Sequence, residues 1–125
     1  MVKIRYMKAN DVDKVAKIVA LDHDADPKKG FREARQHTLD HLKIVPKNCY
    51  IVETDNNEII GVMVLHPQDK IFEIEDFHVK QIQQNKQALQ LLKKKLLEYL
   101  ELVNTEVLCC PFALKRLITK NQGTS

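Results

Sequence analysis

Three β-type runs follow one another between residues 48 and 79, with connections too short for anything but antiparallel pairing. Residues 48–54 (NCYIVET) and 58–66 (EIIGVMVLH) are β-branched and apolar, and Asp55-Asn56-Asn57 between them is a turn cluster. Pro67-Gln68-Asp69 marks the next turn, and residues 70–79 (KIFEIEDFHV) read as the third strand of a meander. A parallel neighbour needs a crossover of about a dozen residues or more, which neither connection supplies. The segment after the meander is long enough for one. Residues 84–103 place Leu89, Leu92, Leu96, Leu100 and Val103 on one stripe, the pattern of an amphipathic helix. Residues 105–110 (TEVLCC) then read as a short buried strand, reached by a right-handed crossover.

The flanks complete the order. Residues 2–7 alternate as a strand, and Asn10 is placed to cap a helix whose Val12, Val15, Ala16 and Val19 recur at helical spacing to about Leu21. Asp11 and Asp13 fall in its first turn, where the helix dipole favours carboxylates. The Asp22-His23-Asp24-Ala25-Asp26-Pro27 stretch breaks it. A second helix is expected from about Gly30 to Ile44, with Phe31, Ala34, Thr38, Leu42 and Val45 on one stripe and Pro46 as its stop. Pro111 opens a last helix over residues 112–119, leaving 121–125 as a frayed tail. The expected architecture is a single α/β (α+β) domain over residues 1–120, in the order β-α-α-β-β-β-α-β-α. Its central sheet is mixed but mainly antiparallel, with helices on both faces.

Composition narrows the classes. At 125 residues, 44% hydrophobic and 30% charged, the chain is neither disordered nor fibrous. It has no apolar run of membrane-spanning length and no apolar signal-peptide core at its start, so a cytoplasmic protein without a membrane partner is expected. The net charge of +3 is uneven: residues 81–125 hold seven Lys/Arg against three Asp/Glu, which suits an anionic ligand there. The Lys93-Lys94-Lys95 run has no interleaved aromatic platform and reads as a solvated helix face rather than a nucleic-acid patch. Cys49, Cys109 and Cys110 form neither a disulfide framework nor a CxxC pair. Cys49 and Cys109 read as buried small hydrophobes, and Cys110 at a helix start lacks a nearby histidine in sequence.

Two spacings invite a metal reading. Asp22, Asp24, Asp26 and Glu33 fall at positions 1, 3, 5 and 12 of an EF-hand loop. Pro27 takes the place of the glycine that loop needs at its sharp turn, so a polar inter-helix loop is the better account. Glu33, His37 and His41 recur at i, i+4 and i+8, and the two imidazoles of HxxxH share a helix face. That face lies beside the apolar stripe on its polar side. Solvent-facing histidines are therefore expected, and no metal is assigned.

In element order, residues 2–118 resemble the GNAT superfamily of acetyl-CoA-dependent N-acetyltransferases. That family's third meander strand ends in apolar-x-Val, and a Gln/Arg-x-x-Gly-x-Gly/Ala loop opens its long helix. Here the strand ends Phe77-His78-Val79 and the loop is Gln84-Asn85-Lys86-Gln87-Ala88-Leu89. The resemblance implies that the backbone of Phe77, His78 and Val79 lines the pantetheine arm of acetyl-CoA or CoA. It also implies that the Gln84–Leu89 loop cradles the pyrophosphate, because helix-start amides make an anion site. Gln87 and Leu89 stand where the family prefers glycine, whose missing Cβ permits close approach; Lys80 and Lys86 restore only charge. Glu73 matches the position of a carboxylate that in some members takes the proton from the acceptor amine. Alternation puts Glu75 on the face of Glu73 and His78 on the opposite one. Leu117 or Ile118 occupies the place of the tyrosine that protonates the departing thiolate, and the family's two further strands do not follow. A homodimer covering the open sheet edge is expected on that account. Two functions fit: transfer of acetyl from acetyl-CoA to an amine, or a non-catalytic module of the same fold acting through CoA binding, dimerisation or a protein partner.

Overall fold

The computed structural model describes residues 1–68, 71–103 and 106–109. Five strands, β1 (Val2–Tyr6), β2 (Cys49–Thr54), β3 (Ile59–Gln68), β4 (Ile71–Val79) and β5 (Glu106–Cys109), form one sheet in the order β1-β2-β3-β4-β5. The first four pair antiparallel and β5 joins β4 in parallel, as the connection lengths require. Helices α1 (Val12–His23) and α2 (Pro27–Ile44) precede the meander, and α3 (Asn85–Val103) is the crossover. The expected fold class and order hold as far as β5. The last helix, the tail and Cys110 lie outside the described residues. No helix among the described residues is long and apolar enough to cross a membrane.

The alternating pattern of the strands supplies two cores, one on each face. Tyr50, Val52, Ile60, Met63, Leu65, Ile74 and Phe77 point to one side and bury against Ala88, Leu92 and Leu96 of α3. Cys49, Ile51, Ile59, Val62 and Val64 point to the other and meet Val15, Ile18 and Leu42 of the first two helices. In the hairpin between β2 and β3, Thr54 Oγ1 accepts from the backbone N–H groups of Asn56 and Glu58, and Asn57 takes a left-handed φ of 62°.

Three local expectations change. Asn10 does not cap α1; it sits in a short 3-10 turn (Ala9–Asp11), and the Asp11 carboxylate accepts instead from the Lys8 backbone N–H at 2.8 Å. Helix α2 starts three residues early, at Pro27, because Asp26 caps it through the Lys28 N–H and proline suits the first turn. Strand β3 runs through Pro67 and Gln68, which pair with Phe72 and Ile71 rather than turning.

The early start of α2 turns Gly30 inward against α1. A Cβ there would lie 2.5 Å from the Ala20 carbonyl oxygen and 2.8 Å from that of Asp24, both backbone atoms that cannot swing aside. Gly30→Ala is therefore expected to cost about 2 kcal/mol or more despite its better helix propensity, read as a fall of several degrees in Tm.

Arg5 of β1 ties the sheet to the start of α1. Its guanidinium donates to Asp11 at 2.8 and 3.0 Å and to Glu53 of β2 at 3.0 and 3.2 Å. The Arg5 hydrogen bonds hold Glu53 below its ordinary carboxylate range. Burial pushes Asp11 up, but the bonds from Arg5 and the Lys8 N–H outweigh it and hold Asp11 low as well. Depressed carboxylates contribute stability that is present above their unfolded pKa of about 4 and lost as pH falls through the folded values. Arg5→Met is expected to cost about 2 kcal/mol at pH 7, since it strands two buried acids. The gap to the parent should narrow below about pH 4 as those acids protonate, a trend urea unfolding at several pH values will show.

Candidate functional site

One extra residue in β4 organises the polar face of the sheet. Val64 pairs with Asp76 and Leu65 with Ile74, so Glu75 is the inserted residue of a bulge. The bulge turns Glu75 and Asp76 to the same face, that of α1 and α2, while Ile74 and Phe77 stay in the α3 core. Alternation alone expects His78 opposite Glu73, and the structure overturns that. Five positions apart but separated by the bulge, they share a face, and His78 Nε2 lies 3.6 Å from the Asp76 carboxylate.

All five histidines of the sequence come to this face. Ring centroids of His23 and His37 are 5.1 Å apart, those of His37 and His41 4.2 Å, and those of His41 and His66 5.5 Å. Glu75 lies among them, 3.4 Å from His66 Nδ1 and 3.9 Å from the Nε2 atoms of both His37 and His41. The expectation of solvent-facing histidines is thus overturned: His41 is only 7% exposed, because β4 carries Glu75 up against that side of α2. Glu33, the third member of the i, i+4, i+8 series, is exposed one turn earlier, and the carboxyl group beside the two imidazoles is that of Glu75. Asp24 is occupied by Lys29 and the Asp26 N–H, and Asp26 caps α2, so both serve the inter-helix turn.

Burial sets the electrostatics here. Glu75 is pushed up by burial and by its contact with the Glu73 carboxyl group. Asp76 is also pushed up by burial, but the His78 hydrogen bond and charge outweigh this and hold it low. His37 is lowered, first by burial and then by His41. Burial drives the Cys49 thiol up to about 12, and its Sγ–H donates to the Val45 carbonyl, so it is inert packing as expected.

The expected cofactor residues lie at the other end of β4. Strand β5 pairs only with Ile71, Phe72 and Glu73, so over residues 74–79 β4 has no neighbouring strand on that side among the described residues. Beyond it the chain winds into α3, with Lys80 N–H donating to Ile60 O, Asn85 N–H to Ile82 O and Ala88 N–H to Gln84 O. The first turn of any helix leaves further amides, here those of Lys86 and Gln87, without an intrahelical acceptor. No residue of this loop has a positive φ, so its path does not need glycine. Gln87 is exposed and Leu89 packs against the α3 core. A cavity of about 840 Å³ adjoins this end, lined by Lys14, Lys17 and Ile18 of α1, the hairpin turn at 56–58 and residues 77–80 of β4.

Sequence reasoning found Glu73 and the β4 terminus but missed Asp76, His66 and His23 as neighbours. The available signal was the Glu75-Asp76 doublet, which breaks the polar–apolar alternation of Glu73-Ile74-Glu75 by one residue where the bulge falls. Asp76→Asn removes a buried charge that His78 holds, and should cost about 1–3 kcal/mol at neutral pH by thermal unfolding.

No protein-family model matches the sequence, and no curated protein matches it at the sequence level. Solved structures match its fold. A Clostridium acetobutylicum protein described as an acetyltransferase and solved with acetyl-CoA superposes with a TM-score of 0.69 at 14% identity, covering 98% of this chain and 89% of that one. Glucosamine-6-phosphate N-acetyltransferase of Arabidopsis thaliana gives 0.67 at 13% identity, covering 100% and 92%. A Pyrococcus horikoshii protein described as an acetyltransferase gives 0.69 at 17% identity over 97% of this chain, which spans 42% of its length. The fold is the GNAT acetyltransferase fold.

Proposed function

We propose that the protein is an acetyl-CoA-dependent N-acetyltransferase acting on an amine. The observation that carries this reading is the β4 strand itself. On the β5 side it stands without a neighbouring strand over residues 74–79 among the described residues and leads directly into the start of α3, the arrangement an extended thioester cofactor needs. Phe77, His78 and Val79 offer backbone groups to the pantetheine arm, and within the segment Gln84–Leu89 the helix-start amides of Lys86 and Gln87 are offered to the pyrophosphate. Acetyl-CoA supplies an acyl group already activated as a thioester. Glu73, half-buried on the face towards α2 and hydrogen-bonded to Glu75, is the proposed base. It takes the proton that the amine sheds as the new C–N bond forms and the C–S bond breaks. Transfer is direct, with no covalent enzyme intermediate.

A non-catalytic module of the same fold is favoured by one observation, the side chains at Gln87 and Leu89 where glycines would let a phosphate approach more closely. Thermal unfolding with acetyl-CoA, CoA and ATP separates the two. A ligand at 100 times its Kd adds about 2.7 kcal/mol, so a shift of several degrees with acetyl-CoA and CoA but not ATP is expected. Absence of that shift selects the module. Thiol release from acetyl-CoA across a panel of amines then tests turnover. Glu73→Gln should lower kcat by about 10²- to 10⁴-fold while leaving the CoA shift intact.

A further inference from the structure

We propose that His37, His41 and Glu75 form a binding site for a borderline divalent transition-metal ion of the zinc type, with His66 supporting Glu75. One donor atom from each of the three residues lies within 4.8 Å of the other two. His37 and His41 present Nε2 atoms from successive turns of α2, and the bulge in β4 brings Glu75 across to 3.9 Å from each. Tetrahedral coordination at Zn–N distances of about 2.0–2.1 Å sets donors roughly 3.3 Å apart, so side-chain rotation that shortens the Glu75 contacts by about half an ångström, and the widest separation by up to about 1.5 Å, closes the set.

A second observation is independent of that proximity. His41 Nδ1 lies 3.1 Å from the His37 backbone carbonyl, an oxygen that can only accept. Nδ1 therefore carries the hydrogen, and in the neutral ring the lone pair is on Nε2, aimed at Glu75. This is the arrangement in which metal-binding histidines are held, the distal nitrogen oriented by a carbonyl behind it. An acceptor on the buried His41 facing a half-buried carboxyl group leaves room for a positive charge between them. His66 Nδ1 lies 3.4 Å from Glu75 Oε1, the oxygen that also faces His41, and so helps to position that carboxyl group. Two imidazoles and a carboxylate suit zinc, nickel or copper and are a poor set for magnesium or calcium, which prefer all-oxygen shells. Three protein donors leave at least one coordination position for water or a ligand, as in open metal sites.

The site is independent of the acetyltransferase reading, because its test needs no acetyl-CoA. The full chain, stripped with a chelator and dialysed, is titrated with Zn²⁺ in competition with a chromogenic chelator, beside Mg²⁺ and Ca²⁺. One Zn²⁺ per chain at micromolar affinity or tighter is expected, with no competition by Mg²⁺ or Ca²⁺. His37→Asn and Glu75→Gln should each weaken binding at least 10-fold, and His66→Asn about 10-fold. Glu33→Gln, exposed one turn away on the same helix, should leave it unchanged. Co²⁺ in the unmodified protein should give the intense visible absorption of a tetrahedral site, a readout that needs no variant. Absence of Zn²⁺ binding, or binding that survives both His37→Asn and Glu75→Gln, overturns the proposal.

Discussion

The bulge at Glu75 decides which groups of this protein can meet. In an unbroken strand Asp76 would turn into the apolar layer beneath α3, where Leu92 and Leu96 are fully buried and no polar partner is at hand. The inserted residue instead returns Phe77 to that layer and sends two consecutive acids to the opposite face. Both sides of the sheet gain by the same shift. The α3 core stays apolar, and the α1/α2 side receives the carboxylates around which the histidines gather.

That gathering is costly in isolation and bearable in combination. Each buried carboxylate or imidazole loses hydration, and each finds a partner within hydrogen-bonding or ion-pairing reach: Asp76 with His78, Glu75 with Glu73 and His66, His41 with a backbone carbonyl. The Arg5–Asp11–Glu53 network does equivalent work at the other end of the same face. The face between sheet and the first two helices is therefore held at its ends by charge, with the apolar residues of β2, β3 and α1 between. Polar groups so placed fix which face meets which helix, since a one-residue slip in any strand would strand them in the apolar layer.

Much of this was legible in the sequence. Turn clusters and short connections gave the meander, leucine spacing gave α3, and the need for a crossover gave the parallel β5. Alternation placed Glu73 and Glu75 together correctly because they lie on the same side of the bulge, and misplaced His78 because it lies beyond it. The buried state of His41 was not readable from helical spacing. On the wheel it sits at the border of the apolar stripe, and only the approach of β4 decides that border. The start of α2 was misjudged for a related reason. Gly30 reads as a boundary by its residue type, whereas its missing Cβ is what lets the first turn of α2 lie against the end of α1.

The two ends of the groove differ in what they ask of the sequence. The terminus of β4 and the start of α3 present mainly backbone groups, and backbone geometry survives almost any exchange of side chains that preserves the burial pattern. A loop with no positive φ can keep its path without glycine, so a glycine-based motif fails there before the architecture does. The histidine face is built from side chains, and no fold-level likeness fixes its chemistry. At 13–17% identity to the acetyltransferases described above, the shared part of this protein is the frame. Its individual part is the face where Glu73 and five histidines meet the two acids that the bulge turned towards them, Glu75 and Asp76.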